Sequence, residues 1–113
     1  VVCRDFDEMK QVARALEGQL TATVHFSASD QGRVRELLPI LQRIAGRVVA
    51  NGFPTGVEVS PAMQHGGPWP ATTDPRFTSV GTAAIARFLR PVSYQSFPED
   101  LLSPALRALE AGA

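Results

Sequence analysis

Hydrophobic positions in the first 51 residues alternate between a helical and a strand period. From residue 5 to residue 17 apolar side chains recur every three or four positions, which predicts an amphipathic helix. The apolar face of this helix comprises Phe6, Met9, Val12, Ala13 and Leu16. Asp5 is expected to cap the helix, with Glu8 completing a capping box and Gly18 following the helix end.

Strict alternation then replaces the helical period from Leu20 to Phe26 and predicts a strand. A second helix is expected from Ser29 or Asp30 to about Ala45, closed by Gly46. Its apolar stripe comprises Val34, Leu37, Leu38, Leu41 and Ile44. Pro39 lies inside it and should kink the helix or break it in two.

A short buried strand is predicted over residues 47–51, and Val1-Val2-Cys3 has the character of a strand end. The predicted order is therefore βαβαβ, which gives parallel strands joined by right-handed crossovers. If the three strands are in sequential order, both helices cover one face of the sheet. The bare second face indicates that missing sequence or a partner chain completes the domain.

The stretch from Asn51 to Phe77 contains five of the nine prolines and four of the nine glycines, so regular structure is not expected in it. It also contains Phe53, Val57, Val59, Met63 and Trp69, and a disordered linker would carry few such residues. Ordered loops of this length are usually functional. From the residues alone, these side chains either line a ligand pocket or pack the loop onto the core.

After the loop, a short helix is predicted over residues 78–88, capped by Thr78 or Ser79. Residues Phe88 to Phe97 alternate as in a strand, and Pro91 restricts that strand to an edge, where it can pair with another subunit. Ser103-Pro104 begins a terminal helix.

Charge and composition narrow the function classes. Eleven basic residues balance eleven acidic ones, which argues against a nucleic-acid or acidic-membrane partner. No apolar run approaches the roughly 20 residues that cross a bilayer. A single cysteine indicates a reducing compartment, and we expect a cytoplasmic protein.

Few residues of the sequence are candidates for a catalytic or metal-binding role. Cys3 is expected to be an inert core cysteine, and His25 a hydrogen-bonded strand histidine beside threonines. The two histidines and Cys3 lack metal-ligand spacing, so no metal site is expected. Gly66-Gly67 is not followed by a phosphate-loop lysine. The loop carboxylates Glu58 and Asp74 could pair as acid and base, but nothing in their spacing requires it.

Three runs of the sequence carry a resemblance to a known family: NGFPTGVEV, HGGPWPATTDPRFTSVGT and RFLRPVSYQ. Together with LEGQLTATVH they resemble the C-terminal region of aldehyde dehydrogenases, over nearly the whole chain. The nearest branch is NADP-dependent and acts on 2-oxoglutarate semialdehyde (2,5-dioxopentanoate). The resemblance implies a βαβαβ piece of the catalytic domain over residues 1–86, including a substrate-side loop at 51–77. Residues 87–113 then comprise an oligomerisation strand and a terminal tail.

The resemblance also implies a chemistry. A cysteine thiolate attacks the aldehyde, hydride passes to NAD or NADP, and a glutamate-activated water releases the carboxylate. The nucleophile, the glutamate and the cofactor domain are expected upstream of Val1, so no catalytic or cofactor-binding residue is assigned here. The chain alone should bind no cofactor and be inactive. The alternative is a non-catalytic small-molecule-binding or assembly module.

Substrate-lining residues follow from the same resemblance. His65 precedes Gly-Gly where many members have an aromatic residue at the aldehyde tunnel, so His65 and Trp69 are the first candidates. Phe53, Val57 and Ser60 are the second group, and Ser60 stands where the branch often has cysteine. The segment Phe88 to Phe97 matches the strand that pairs subunits into a homo-oligomer.

Overall fold

A parallel βαβ unit forms the centre of the protein in this computed structural model, which describes residues 1–110. Helix α1 spans Phe6–Ala15, strand β1 Gln19–Val24, helix α2 Gln31–Ile44 and strand β2 Ala45–Ala50. The two strands are parallel, in register from Gln19 opposite Ala45 to Val24 opposite Ala50. The predicted α/β class and these four elements are confirmed. Helix α3, Pro104–Glu110, begins at the proline that predicted it.

Of the two hydrogen bonds in the capping box predicted at the start of α1, the structure has one. Asp5 caps the helix, because its Oδ1 accepts a hydrogen bond from the Glu8 amide at 2.8 Å. The Glu8 carboxylate does not bind the Asp5 amide as a capping box requires; it pairs with Arg4, whose Nε donates at 3.2 Å. A capping box occurs instead before α2, where Ser27 and Asp30 bond reciprocally around a 3₁₀ turn over Ala28–Asp30.

Helix α2 continues through Pro39 without a break. Pro39 and Arg35, the residue four positions earlier, are both exposed, so water can solvate the carbonyl that loses its helical partner. Neither predicted glycine terminator acts as one. Helix α1 ends with extended Leu16, and β2 begins directly after α2 at Ala45, so that Gly46 lies inside the strand.

The core is small and lies between the two helices and the sheet. Ala13, Leu37, Ile40 and Leu41 are its buried members. Partly buried side chains pack around them: Phe6, Ala22, Val24, Ile44 and Val48. An ion-pair bridge joins the helices at the surface, since Lys10 Nζ lies 3.1 Å from Glu36 and 2.8 Å from Asp7.

The predicted first strand is absent from the described sheet, which has two strands. Val1 and Val2 are fully exposed and Cys3 is half-buried. Three residues can form few ladder hydrogen bonds, whereas ordering each of them costs about 1–2 kcal/mol of backbone entropy. The entropy cost therefore exceeds the gain from pairing, and residues 1–3 lie outside the sheet.

The C-terminal third extends away from this core. Residues 85–101 are all exposed, and the chain measures 70 × 26 × 25 Å. Its radius of gyration is 20.9 Å, against about 13 Å for a compact chain of this length. The helix predicted over 78–88 is a shorter 3₁₀ helix, Thr82–Phe88, preceded by Gly81 at φ 86° rather than capped by Thr78 or Ser79. Phe88 to Phe97 forms no strand within the described chain, and residues 111–113 of the predicted tail lie outside the described residues.

Candidate functional site

The long loop leaves the sheet at the carboxyl ends of both strands, as the sequence predicts. Asn51 adopts φ 50° directly after β2. Its amide donates to Val24 O at 2.9 Å, and its side-chain Oδ1 accepts from the Phe26 amide at 2.7 Å. A single asparagine therefore anchors the start of the loop to the end of β1.

The same loop then returns to the opposite, amino-terminal ends of the strands. A Cβ on Gly46 would overlap the Gly66 carbonyl, and a Cβ on Gly67 would lie 3.2 Å from the Gly46 nitrogen. A Cβ on Gly18 would overlap the Pro68 carbonyl. Glycines at these positions let the loop backbone lie directly on the sheet backbone, so the loop spans the whole length of β2.

Hydrogen bonds from residues 78 and 79 fix the backbone of His65. Buried Thr78 accepts from the His65 amide at 2.8 Å through Oγ1 and donates to Val80 O at 2.8 Å. The His65 carbonyl accepts from the Ser79 amide at 3.0 Å and from Ser79 Oγ at 2.9 Å. The His65 ring is less constrained: its Nδ1 is buried and has no hydrogen-bond partner in the described structure.

Arg47 fixes the first part of the loop. Its side chain leaves β2 and donates to Gly56 O at 2.7 Å and to Pro54 O at 3.1 Å. Met63 Sδ lies 4.0 Å from the same guanidinium. The two carbonyls lie within the turn from Phe53 to Val57. Arg47 therefore holds the backbone to which both of these side chains are attached.

The five predicted substrate-lining residues do not enclose a common cavity within the described chain. Phe53, Trp69 and Val57 are 79%, 74% and 46% exposed. Ser60 is half-buried, and its carbonyl accepts from the Met63 amide at 3.3 Å and the Thr82 amide at 3.4 Å. His65 is half-buried at the far end of the loop. Phe53 lies beside His25 at the carboxyl end of β1, whereas His65 lies next to the glycines at the amino ends of the strands, so the structure does not bring the five residues together.

A concavity of about 600 Å³ lies elsewhere, at the carboxyl end of β1 between the starts of α1 and α2. Cys3, His25, Asp30 and Arg33 are among the residues that line it, and none of the five predicted substrate-lining residues does. The expected core environment of Cys3 is wrong, since its thiol borders this open groove. His25 follows the last residue of β1, is exposed, and its ring lies 5.8 Å from that of Phe53 rather than in a threonine network.

Asp74, one of the two loop carboxylates, is held ionised by Arg76. Arg76 Nε and Nη2 donate to the two carboxylate oxygens at 2.9 and 2.6 Å, and the Arg76 amide adds a bond at 3.1 Å. These bonds lower the pKa of Asp74 from 3.8 to about 2. An acid of that strength is unsuited to donate a proton near neutral pH.

Across residues 1–110, no group of three or more His, Cys, Asp or Glu side chains is arranged to hold a metal ion. None of the described helices has the length and apolar character needed to cross a membrane.

Sequence patterns did not identify the residues that position the loop. These residues are Arg47, Thr78, Ser79, Gly18 and Gly46. One local signal was present: a glycine inside a strand indicates close approach of another backbone, which is the situation of Gly46. The partners of Arg47 and Thr78 are distant in sequence or depend on the loop path, so no local pattern identifies them.

Comparison with known proteins bears on this site. No family model matches the chain. The chain is 61% identical over 107 residues to alpha-ketoglutaric semialdehyde dehydrogenase 2 of Azospirillum brasilense, covering 95% of this chain and 20% of that protein. It is 62% identical over 92 residues to alpha-ketoglutaric semialdehyde dehydrogenase of Acinetobacter baylyi, covering 81% of this chain and 18% of that protein.

These matches confirm the resemblance to aldehyde dehydrogenases that the sequence motifs indicated: the chain is homologous to a part of such an enzyme. Within that class, both similar proteins carry the name alpha-ketoglutaric semialdehyde dehydrogenase. The chain spans about a fifth of the length of these curated relatives. The alternative of a non-catalytic binding or assembly module is not favoured.

Proposed function

We propose that the chain is the C-terminal part of an NAD(P)-dependent aldehyde dehydrogenase that oxidises 2,5-dioxopentanoate, the semialdehyde of 2-oxoglutarate, to a carboxylate. The observation that carries this proposal is the 61% identity over 95% of the chain to a protein named for that substrate. A match of this extent spans the loop as well as the scaffold.

In this proposal the loop from Asn51 to Phe77 is one wall of the aldehyde site, lined by His65, Trp69, Phe53, Val57 and Ser60. The exposed rings of Phe53 and Trp69 support it, because large apolar side chains on a hydrogen-bonded loop are typical of binding surfaces. His65 Nδ1 supports it too, since a buried ring nitrogen without a partner can accept or donate a hydrogen bond to a ligand. These residues bind and orient the aldehyde and exclude water; the nucleophile and base belong to other parts of the enzyme.

NADP or NAD accepts the hydride in such an enzyme, and we assign its binding to residues outside this chain. The one Gly-Gly pair that could approach a pyrophosphate is Gly66-Gly67. Its backbone lies against Gly46 and Gln19 at the amino ends of the strands, so we assign the pair to packing of the loop rather than to phosphate binding.

We further propose that the enzyme is a cytoplasmic homo-oligomer in which Phe88 to Phe97 pairs with another subunit. In the single chain this segment exposes Phe88, Val92 and Tyr94 by 81%, 56% and 52%. An apolar segment of this length, extended away from its own core, gains stability by pairing with a neighbouring sheet. The balanced charge of the chain supports a protein partner over nucleic acid.

The test is an assay of the full-length gene product with 2,5-dioxopentanoate and, separately, with an unsubstituted aldehyde of similar length. Reduction of NADP or NAD is followed by absorbance. We expect aldehyde-dependent reduction that favours the 2-oxo acid. Absence of aldehyde oxidation by the full-length protein would refute the proposal. Activity of the 113-residue chain alone, lost in Cys3→Ala, would refute the assignment of catalysis to other residues.

A further inference from the structure

Arg47 connects strand β2 to the first part of the loop through two hydrogen bonds. It lies in β2 opposite Thr21, and its side chain reaches past the strand end to Pro54 O and Gly56 O. In the described structure these two carbonyls are the backbone groups of residues 52–59 that have hydrogen-bond partners. The conformation of the turn between Phe53 and Val57 therefore depends on one guanidinium.

The chemistry of the side chain suits this task. The guanidinium presents donors in a planar fork, which can reach two carbonyls two residues apart, whereas a lysine ammonium is a point donor on a flexible stem. Arg47 is half-buried, and no carboxylate of residues 1–110 forms an ion pair with it. Its Nη1 and Nη2 donate to loop carbonyls, its Nε is buried without a partner in the described structure, and no acid of residues 1–110 neutralises it.

We propose that Arg47 is a positioning residue that sets how far Phe53 and Val57 project into the aldehyde site, and thereby the selectivity for the aldehyde. This inference rests on the proposed function of the loop as a wall of that site. A shift of the turn changes the fit of the bound aldehyde, because both side chains are attached to the residues flanking the clamped carbonyls. We expect the chemical step to stay intact, since within residues 1–110 the hydrogen bonds of Arg47 go to Pro54, Gly56 and Met63 of the loop.

The experiment compares Arg47→Met, Arg47→Lys and the control Arg43→Met in the full-length protein. Arg43 lies in the last turn of α2 and is exposed, so its loss removes the same charge without touching the loop. Two quantities are measured: the rate of cleavage after exposed Glu58 by a glutamate-specific protease, and kcat and KM for 2,5-dioxopentanoate and for the unsubstituted aldehyde. Arg47→Lys keeps the cation and serves if Arg47→Met does not fold.

For Arg47→Met we expect the rate of cleavage after Glu58 to rise about tenfold, because the turn loses both hydrogen bonds from the guanidinium and opens more often. We expect KM for 2,5-dioxopentanoate to rise about tenfold and kcat to change by less than about twofold, the pattern of lost binding without lost chemistry. The preference over the unsubstituted aldehyde should fall by a similar factor. Arg47→Lys should lie between Arg47→Met and wild type, and Arg43→Met should match wild type.

Unchanged cleavage after Glu58 in both Arg47 variants would overturn the clamp itself. Faster cleavage with unchanged KM and selectivity would overturn the role in substrate positioning. A proportional fall in kcat with constant KM would do the same. If the wild-type protein oxidises no aldehyde, the proposed function fails and the positioning role fails with it, while the cleavage rates still decide whether Arg47 holds the loop.

Discussion

Gly46 in β2 lies directly beneath the carbonyl of Gly66, so close that any Cβ on Gly46 would overlap it. Neither glycine is required for a left-handed backbone, since neither has a φ in that region. Gly46 is required because the sheet and loop backbones meet there without a side chain between them, whereas a Cβ on Gly66 would meet Gln64 and Phe77 of the loop itself. This contact fixes where the loop ends its path along the sheet.

Gly46→Ala is therefore expected to destabilise the protein by about 2 kcal/mol, in the range of overpacking substitutions. The added methyl group must displace the Gly66 peptide, which is backbone and cannot rotate away as a flexible side chain would. The measurement is the urea midpoint of Gly46→Ala against wild type in the full-length protein.

Gly32→Ala is the matched control, because a Cβ there meets no atom within 4 Å and Gly32 lies in α2. It should stabilise by about 0.5–1 kcal/mol through helix propensity. Equal effects of the two substitutions would contradict the proposed backbone contact.

Thr78→Val should cost about 1–3 kcal/mol, the penalty for leaving a buried donor without its partner. The side chain keeps its shape, but the His65 amide loses the Oγ1 acceptor at 2.8 Å and the Val80 carbonyl loses a donor. Thermal unfolding measures the effect. Thr73→Val, at an exposed position of the same loop, should change stability by less than about 0.5 kcal/mol. A Thr78 variant as stable as wild type would show that the hydroxyl is dispensable.

The Asp74–Arg76 pair predicts a pH dependence at the acid end. The pKa of Asp74 is lowered from 3.8 to about 2, chiefly by the side-chain hydrogen bonds from Arg76. A lowered folded-state pKa contributes stability that is present above pH 3.8 and is lost as pH falls through about 2. Wild type should therefore exceed Asp74→Asn in stability near pH 6 and converge with it near pH 2, as seen in urea midpoints at about those two values. Because Arg76 is largely exposed, we expect a small difference, and a difference independent of pH would rule out this pair as its source.

Val92→Lys should weaken self-association of the full-length protein at least about tenfold, because a charge would be buried where Val92 now offers an apolar surface. Sedimentation velocity over a concentration series measures the shift. Leu101→Lys is the control: Leu101 is 66% exposed but lies outside the Phe88 to Phe97 segment. Unaltered assembly in Val92→Lys would place the subunit contact elsewhere.

Local period was sufficient to predict α1, β1, α2, β2 and α3, because each contains its own amphipathic pattern or its own cap. It misassigned Gly18 and Gly46 as helix terminators, since a glycine after a helix is equally explained by a close contact that forms only in three dimensions. The strand predicted at Val1 does not form in the described structure, because hydrophobic residues alone do not provide a neighbouring strand for backbone hydrogen bonds.

The position of the site in the sequence could be predicted, but the contacts that hold its loop in place could not. Composition marked residues 51–77 as an ordered loop, and the fold accounts for its start at Asn51. Its return to the amino ends of the strands and its fixation by Arg47 depend on contacts between distant residues, which no periodicity encodes. The substrate-lining roles of His65, Trp69, Phe53, Val57 and Ser60 stay predictions.

Pro91, in the middle of the exposed segment, limits what that segment can build. Successive residues of a strand direct their amides to opposite edges, so the missing amide of Pro91 weakens the edge used by residues 89, 91, 93 and 95. The edge used by Phe88, Arg90, Val92 and Tyr94 keeps all its donors. A strand formed here can add fully to one neighbouring sheet but poorly template a second. Stacking of a further strand on the second edge of this segment is therefore disfavoured.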